Sequence, residues 1–331
     1  MNSFGRIFRI SIFGESHGSA VGILIDGCPA GLELCQRDFQ EDLNRRKGGG
    51  EGETGRIESD LPYFESGLFK GRTTGAPILI RFTNEDIRSE HYKNFRQIPR
   101  PGHADFCAAK KFAGYQDPFG GGHFSGRLTL GLVAAGVIAK KAIEPVTATA
   151  RLVEAGGDED PSRAVKQAAS CGDSVGGLIE CEVLSVPVGL GEPFFDSVES
   201  LLSHMLFSIP AVKGVEFGSG FQSARMRGSE CNDMLIDTAG HTATNHSGGI
   251  NGGLTNGNPV RLRVAVKPTS SIARPQKTIH LETGEPAELK IEGRHDTCIA
   301  LRMPVIVESA AAIVFADLLL QEQKLGRIVS S

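Results

Sequence analysis

The chain lacks most of the devices by which a sequence announces a compartment or a cofactor. Its seven cysteines include no Cys-x-x-Cys pair, and an odd number cannot all pair within one chain, so reduced thiols are expected in place of a disulfide framework. No segment reaches the ~18 uninterrupted apolar residues that a spanning helix needs. Residues 1–12 alternate apolar and basic side chains, without the charged start, apolar block and cleavage site of a secretory signal. A cytoplasmic location is the expectation. There is no long basic run and the formal charge is −4, which argues against nucleic acid or an anionic membrane as the main partner.

Common catalytic signatures are missing as well. No stretch matches the Gly-x-x-x-x-Gly-Lys-Ser/Thr phosphate loop, and the one Gly-x-Gly-x-x-Gly, Gly50 to Gly55, carries Glu51 and Glu53 and follows no strand pattern. No Gly-x-Ser-x-Gly elbow marks a serine hydrolase. His241 and His246 are five apart, not the four apart that would face a zinc ion from one helix, so no metal is expected.

What is present is glycine, 42 of 331 residues, gathered in loops without any collagen-like period. Between those loops, Arg9–Phe13, Val21–Asp26, Pro77–Phe82, Gly177–Val183 and Val260–Val266 read as strands from their β-branched content. Helices are expected at Arg37–Arg46, at Ser125–Ile143, after the capping pair Asp196 and Ser197, and from Pro304 to about Lys324. Strands and helices follow no regular alternation, which favours an α+β fold over a doubly wound parallel sheet. The acidic stretch Gly156–Pro161 is the one weak boundary signal, and residues 1–331 are expected to form one domain because the polar motifs fall on both sides of it.

Those motifs suggest proton chemistry on an anion. His17 and His103 each sit in a polar, glycine-bounded loop, Gly14-Glu15-Ser16-His17-Gly18 and Arg100-Pro101-Gly102-His103-Ala104-Asp105. An imidazole exchanges a proton near neutral pH. Arginines recur beside glycine or histidine at Arg45-Arg46-Lys47, Arg100, Ser125-Gly126-Arg127 and Arg294-His295-Asp296, and guanidinium groups bind carboxylates and phosphates by paired hydrogen bonds. Gly120 to Arg127 runs into a helix start, a favourable place for an anion. Asn245 to Gly253 and Lys267-Pro268-Thr269-Ser270-Ser271 add amides, hydroxyls and an ammonium group that suit a phosphate or a ring-bearing cofactor.

Three of these segments, taken in order, resemble the chorismate synthase family over nearly the whole chain: Gly14–Gly18 continuing through Val21 to Pro29, Gly120–Arg127, and Arg294-His295-Asp296-Thr297-Cys298 through Pro304 and Glu308. The resemblance implies anti 1,4-elimination of phosphate from 5-enolpyruvylshikimate 3-phosphate to give chorismate, with reduced FMN that is returned unchanged; NADPH or an external donor would reduce the flavin. It implies a single-domain β-α-β sandwich with helices between antiparallel sheets, assembled as a homotetramer. Carried over residue by residue, it makes Arg46, Arg100, Arg127 and Arg294 substrate ligands with Arg45 beside them. His103 becomes the acid for the departing phosphate, His17 the residue that protonates or orients the flavin, and Asp296 an aid to proton removal. The flavin would be lined by Ser125, Ala211, Gly252, Lys267, Pro268, Thr269, Ser270, Ser271 and Arg294.

The chain departs from the family pattern in two places. Lys47-Gly48-Gly49-Gly50-Glu51-Gly52 stands where the family has Arg-Pro-Gly-x-x-Arg, leaving Arg56 as the nearest substitute, and Ser125-Gly126-Arg127 replaces Ser-Ala-Arg. Two other classes compete with the enzyme reading. A phosphoryl-transfer enzyme would need a magnesium-holding carboxylate set and a phosphate loop, and a non-catalytic anion or flavin carrier would leave the two histidine loops unexplained.

Overall fold

The computed structural model describes residues 2–50, 52–53, 58–86, 95–291 and 295–325. A first sheet has the order β1 (Ser3–Phe4), β2 (Arg9–Gly14), β3 (Ala20–Asp26), β7 (Ile78–Thr83), β4 (Tyr63–Phe64), with every neighbouring pair antiparallel. Val21, Ile23 and Ile25 of β3 lie opposite Phe82, Ile80 and Ile78 of β7, and all six are buried, as the two-residue period of a strand requires for one face. A ribbon of β5 (Leu68–Phe69) and β6 (Arg72–Thr73) lies between β4 and β7 in the chain.

The second sheet runs β10 (Val212–Phe217), β13 (Val260–Val266), β9 (Gly177–Leu184), β8 (Thr147–Ala155), again antiparallel throughout. Val260, Leu262 and Val264 oppose Val183, Cys181 and Ile179 on the buried face. The outer face alternates opposite charges, with Arg261 on Glu182 at 2.6 Å and Arg151 on Glu180 at 2.8 Å.

Helices fill the space between the sheets two deep. α3 (Thr129–Ala142) packs on β3, α7 (Pro304–Leu325) packs on β8 and β9, and the two helices pack on each other. α1 (Arg37–Lys47) closes against α3, and α5 (Val198–Ser208) against α7 and β10. α4 (Pro161–Ser170) rests on β8; α2 (Asp105–Lys111), α6 (Gly228–Cys231) and the hairpins β11 (Ile250–Asn251) with β12 (Leu254–Thr255) and β14 (Gln276–Ile279) with β15 (Pro286–Leu289) complete the described elements.

A helix apolar on all sides needs neighbours on all sides. That is the case for α3, eleven of whose fourteen residues are buried. Within α7, Pro304–Gln323 is long and apolar enough to cross a membrane, yet 78% of its most apolar stretch is buried inside the protein. Two glycines set how closely the layers meet. A Cβ on Gly131 would come within 3.1 Å of the Gly22 carbonyl, and one on Gly136 would stand 2.2 Å from the Ser309 Cβ on α7.

The α+β sandwich agrees with the sequence reading, and each expected strand is found within one residue of its expected ends. Ser125–Leu128 is the exception among the helices: the chain makes a 3₁₀ turn over Gly126–Leu128, capped by Ser125 Oγ accepting from the Arg127 amide at 3.2 Å, and the α-helix starts only at Thr129. Ser197 caps α5 as expected, its Oγ accepting from the Ser200 amide, whereas Asp196 instead pairs with Arg6 at 2.6 Å. Gly156–Pro161 is a short connection. It turns out of β8 into α4, which Asp160 caps through the amides of Ser162 and Arg163, and one hydrophobic cluster continues across it from Phe8 to Leu318.

Replacing Gly136 by alanine opposes two effects. Helix propensity favours alanine by about 1 kcal/mol, but the new methyl falls inside the Ser309 side chain, and overpacking of this kind costs about 1–3 kcal/mol. Gly136→Ala is therefore expected to melt below the wild type in a thermal unfolding scan; an equal or higher melting temperature would show that the two helices can separate freely.

Candidate active site

Three loops meet where the sequence placed its histidines. The Gly14–Gly18 loop leaves β2 and is held by Asn84, just past β7, whose Nδ2 donates to the carbonyls of Glu15 (3.0 Å) and Gly18 (2.8 Å). The Ser16 amide donates to the Gly122 carbonyl at 3.1 Å, and His123 Nδ1 lies 2.9 Å from the Gly14 carbonyl, which fixes that nitrogen as the donor. Gly120, Gly121 and Gly122 all take positive φ, 59°, 83° and 51°. A Cβ on Gly120 would stand 1.9 Å from His17 Nδ1, and one on Gly121 would stand 3.5 Å from His103 Nε2. The two histidines thus flank one glycine run, and only glycine leaves room for the first of them.

His103 is backed by a carboxylate. Its Nδ1 lies 2.6 Å from Asp105 Oδ1, while Arg100 grips the same carboxylate through Nε to Oδ2 and Nη2 to Oδ1, both 2.8 Å. Burial alone would raise the Asp105 carboxyl, but hydrogen bonds from Arg100 and His103 outweigh it and hold the group well below the usual carboxylate range. Arg100 also donates to Ser271 Oγ at 3.2 Å and stacks over Phe95 with 4.5 Å to the ring centre.

Beside His103 opens a cavity of about 640 Å³. Its lining includes the apolar side chains of Phe4, Ile10, Leu132, Met205, Phe207 and Val212. It also includes Ser125, Thr129, Lys213 and the 267–271 turn. Lys267 Nζ donates to the Gly102 carbonyl (2.8 Å) and to Ser270 Oγ (2.7 Å), tying this turn to the His103 loop. Burial, and then repulsion from Lys213, lower the Lys267 ammonium below the ordinary lysine range.

Behind the Ser125 turn lies a buried cluster of arginines and carboxylates. Arg46 bonds Asp60 at 3.1 Å; Arg127 bonds the other oxygen of Asp60 and, through Nε, Asn84 Oδ1 at 3.1 Å, with Glu58 3.7 Å from its Nη2. Arg302 pairs with Asp296 at 2.6 Å. Burial pushes Arg46 down to about 10 against the pull of Asp60, with Arg127 and Arg302 adding like-charge repulsion, so it stays cationic at neutral pH. Among the described residues, Arg46 Nε and Arg127 Nη2 have no hydrogen-bond partner.

Against the sequence reading, Ser125, Ala211 and all of Lys267, Pro268, Thr269, Ser270 and Ser271 line the cavity with His103. Arg46 and Arg127 converge, His17 joins His103 at the glycine run, and Asp296 stands in the arginine cluster. His17, Arg46, Arg127 and Asp296 do not themselves line the cavity, and three further expected residues stand elsewhere or are engaged otherwise. Arg45 lines no part of the cavity: its guanidinium is bidentate on Glu308 (2.8 and 2.7 Å), and that hydrogen bond raises it above its ordinary value despite burial. Arg100 directs Nε and Nη2 to Asp105 and Nη1 to Ser271 Oγ, and its Nη2 lies 3.0 Å from His103 Nδ1, so its guanidinium supports the His103 loop. Gly252 turns the β11–β12 hairpin, with nothing within 4 Å of where a Cβ would sit, and does not line the cavity. Arg294, Glu51 and Arg56 lie outside the described residues.

Sequence reasoning passed over Arg302, Lys213, Asn84, Glu58 and Asp60, and gave Asp105 no role. Asp105, two residues after a loop histidine and beside an arginine, was the one readable signal. The others are joined only by folding. Among the described residues, no three histidine, cysteine or acidic side chains form a cluster suited to a metal ion.

A carboxylate-backed histidine at the wall of a partly apolar, lysine-bearing cavity, with buried arginines behind it, defines an enzyme site that binds an anionic, ring-bearing ligand and moves a proton. Comparison with known proteins makes the class specific. The family model described as chorismate synthase matches residues 8–320. The chain is 56% identical over 329 residues to the chorismate synthase of Chitinophaga pinensis, covering 99% of both chains, and 45% identical to that of Korarchaeum cryptofilum, covering 97% of this chain and 98% of the relative. A crystal structure of chorismate synthase superposes with a TM-score of 0.74 at 25% identity, covering 98% of this chain and 94% of the other. The chain belongs to the chorismate synthase family, and is by that membership a carbon–oxygen lyase.

Gly120→Ala puts a methyl into the His17 ring and forces an L-residue to a left-handed φ, which costs about 1–2 kcal/mol. The expected variant is folded, with an unchanged circular-dichroism spectrum and turnover at least tenfold down. Wild-type turnover would mean that the position of His17 is immaterial.

Proposed function

We propose that this chain converts 5-enolpyruvylshikimate 3-phosphate to chorismate by anti 1,4-elimination of phosphate, with reduced FMN held in the 640 Å³ cavity. The observation that carries this reading is that His103, the Ser125–Gly126 turn and the 267–271 turn, far apart in sequence, wall the same space. Its shape and chemistry fit the cofactor. The apolar side chains suit a flat ring system, and Lys213 and Lys267 with the hydroxyls of Thr269, Ser270 and Ser271 suit a phosphate tail.

When bound, the reduced flavin supplies electron density as the phosphate leaves. The chain's own groups bind and move protons. Arg46 and Arg127 offer their unused donors to the carboxylate and phosphate oxygens of the substrate, with Arg302 close by and Arg294 as a further ligand. His103 Nε2 gives its proton to the phosphate oxygen that departs with the electrons of the C–O bond, and the ring becomes neutral. On the opposite face Asp296 would assist removal of the ring proton, its carboxylate receiving the proton as the C–H electrons form the new double bond. His17, against Gly120, would orient or protonate the flavin when it is bound.

One continuous core supports residues 1–331 as a single domain. The exposed rings of Phe194, Phe195 and Phe221, 86%, 91% and 76% accessible, support self-association, and the homotetramer and the cytoplasmic location belong to the same proposal by family membership. Whether NADPH or an external donor reduces the flavin follows from the same assay.

Mixed anaerobically with substrate and reduced FMN, the wild-type protein is expected to release phosphate and form chorismate, and with oxidised FMN it is expected to form none. NADPH replacing the chemical reductant then tests self-reduction. His103→Ala is expected to lower kcat by about 10²–10⁴-fold while binding FMN normally; product from that variant at the wild-type rate removes His103 from the reaction.

The depressed Lys267 ammonium adds a pH signature. Burial and Lys213 favour its neutral form, so its charge is lost at a lower pH than that of an ordinary lysine. FMN affinity is expected to fall as pH rises through that range, and Lys267→Met is expected to bind more weakly with a flatter pH dependence in a fluorescence titration. Equal pH dependence in both proteins would place the phosphate elsewhere.

A further inference from the structure

We propose that Asp105 is the positioning residue of His103: together with Arg100 it locks the imidazole as the Nδ1–H tautomer and so leaves Nε2 as the nitrogen that meets the ligand. The inference rests on His103 being the acid of the proposed reaction, and it assigns to Arg100 a different task from holding substrate.

The geometry at Nδ1 admits only two arrangements. Either Nδ1 carries a proton and donates to Asp105 Oδ1 at 2.6 Å, or it is bare and accepts from Arg100 Nη2 at 3.0 Å. The carboxylate wins. Its contact is shorter and charge-assisted, and Arg100 Nη2 already has an acceptor in Asp105 Oδ1 at 2.8 Å. The carboxylate is itself immobile. Oδ2 accepts from the Arg100 backbone amide (3.1 Å) and Arg100 Nε (2.8 Å), and its side chain is only 11% exposed. Arg100 in turn is clamped between the Phe95 ring and Ser271 Oγ, the last residue of the cavity turn.

Nδ1–H therefore stays in place whether the ring is charged or neutral, and all proton traffic runs through Nε2, which has no partner among the described residues. Transfer from Nε2 to a phosphate oxygen takes the ring from cation to neutral while Asp105 remains ionised throughout, so no second proton has to move. Other groups close to the loop are Lys267, on the Gly102 carbonyl, His17, across the glycine run, and Arg96 and Asp117, which line a small pocket with His103. None of them has a hydrogen bond or ion pair to Nδ1 among the described residues.

The first test uses the wild-type protein labelled with ¹⁵N-histidine, the His103 signals being assigned by their loss in His103→Gln. Above the pH at which the ring loses its charge, a pyrrole-like Nδ1 and a pyridine-like Nε2 are expected; the reverse pattern overturns the proposal without reference to activity. The second test is Asp105→Asn, whose amide can donate to Nδ1 and so admit the other tautomer. Its ¹⁵N signals are expected to move toward Nε2–H, with kcat reduced by about 10²–10⁴-fold and the substrate KM and FMN affinity within twofold of wild type. A rise in KM at unchanged kcat, or unaltered ring signals, overturns it. Full turnover in Asp105→Asn beside a loss in His103→Gln also overturns it, whereas full turnover in both variants refutes instead the assignment of the acid to His103.

Discussion

Glu308 is 4% exposed in the helical layer, and a carboxylate there is tolerable only if its oxygens are paired and hydrogen-bonded. It accepts both terminal nitrogens of Arg45 from α1, Lys140 Nζ from α3 at 3.0 Å, and the Ala150 amide from β8 at 2.9 Å. Asp42 bridges the same Arg45 and Lys140 from a second side, at 3.1 and 2.7 Å. One side chain of α7 thereby fixes two helices and a strand. The consequence for the site is positional. Arg46 follows Arg45 on α1, Arg127 stands two residues before α3, and Arg302 two residues before α7, so the three arginines of the buried cluster ride on the three helices that Glu308 ties together. Without the carboxylate, Arg45 and Lys140 would be neighbouring like charges, and the helix ends would lose their common anchor.

A second constraint is the absence of side chains at Gly120 to Gly122. Their positive φ values bend the backbone into the gap between His17 and His103, and the Gly122 carbonyl accepts the Ser16 amide, so the same three residues separate the histidines and join their loops. The layer glycines work similarly at a larger scale, since Gly131 and Gly136 let α3 approach both β3 and α7. At Gly120, Gly122, Gly131 and Gly136 glycine serves close approach, a local requirement that imposes no period.

How much of this could be read beforehand depended on the range of the interaction. Strand ends were legible because alternation is local, as in Val260–Val266 against its register partner β9. The start of α3 was not, because Ser125 bonds the Arg127 amide and tightens the first turn. The stacking of two helical layers between the sheets came from family resemblance alone. Arg45 and Arg46 show the limit most clearly. They are adjacent in sequence and equal in chemistry, but a helix turns about 100° per residue, so one meets Glu308 and the other Asp60. No local pattern tells which partner each will meet. Lys213 escaped for the complementary reason, since it sits in no motif, and Arg302, inside the Arg294–Glu308 segment, was given no role there.

The cluster behind the cavity has a property that bears on how a polyanion would be held. Among the described residues, three arginines, Arg46, Arg127 and Arg302, face three carboxylates, Glu58, Asp60 and Asp296, so these buried charges balance before any ligand arrives. Balance is what permits burial, because an unpaired guanidinium there would be severely destabilising. It also means that attraction of net charge is not the main source of affinity. What the cluster offers is geometry: buried donors at Arg46 Nε and Arg127 Nη2 with no hydrogen-bond partner among the described residues, and a longer contact from Arg127 to Glu58 at 3.7 Å. Donors oriented in advance favour an anion that matches their spacing over one that only matches their charge. The positive charge that draws the ligand in would then come from the cavity lining, where Lys213 and Lys267 stand without a carboxylate partner among the described residues, and the two functions, attraction and discrimination, would fall to different residues.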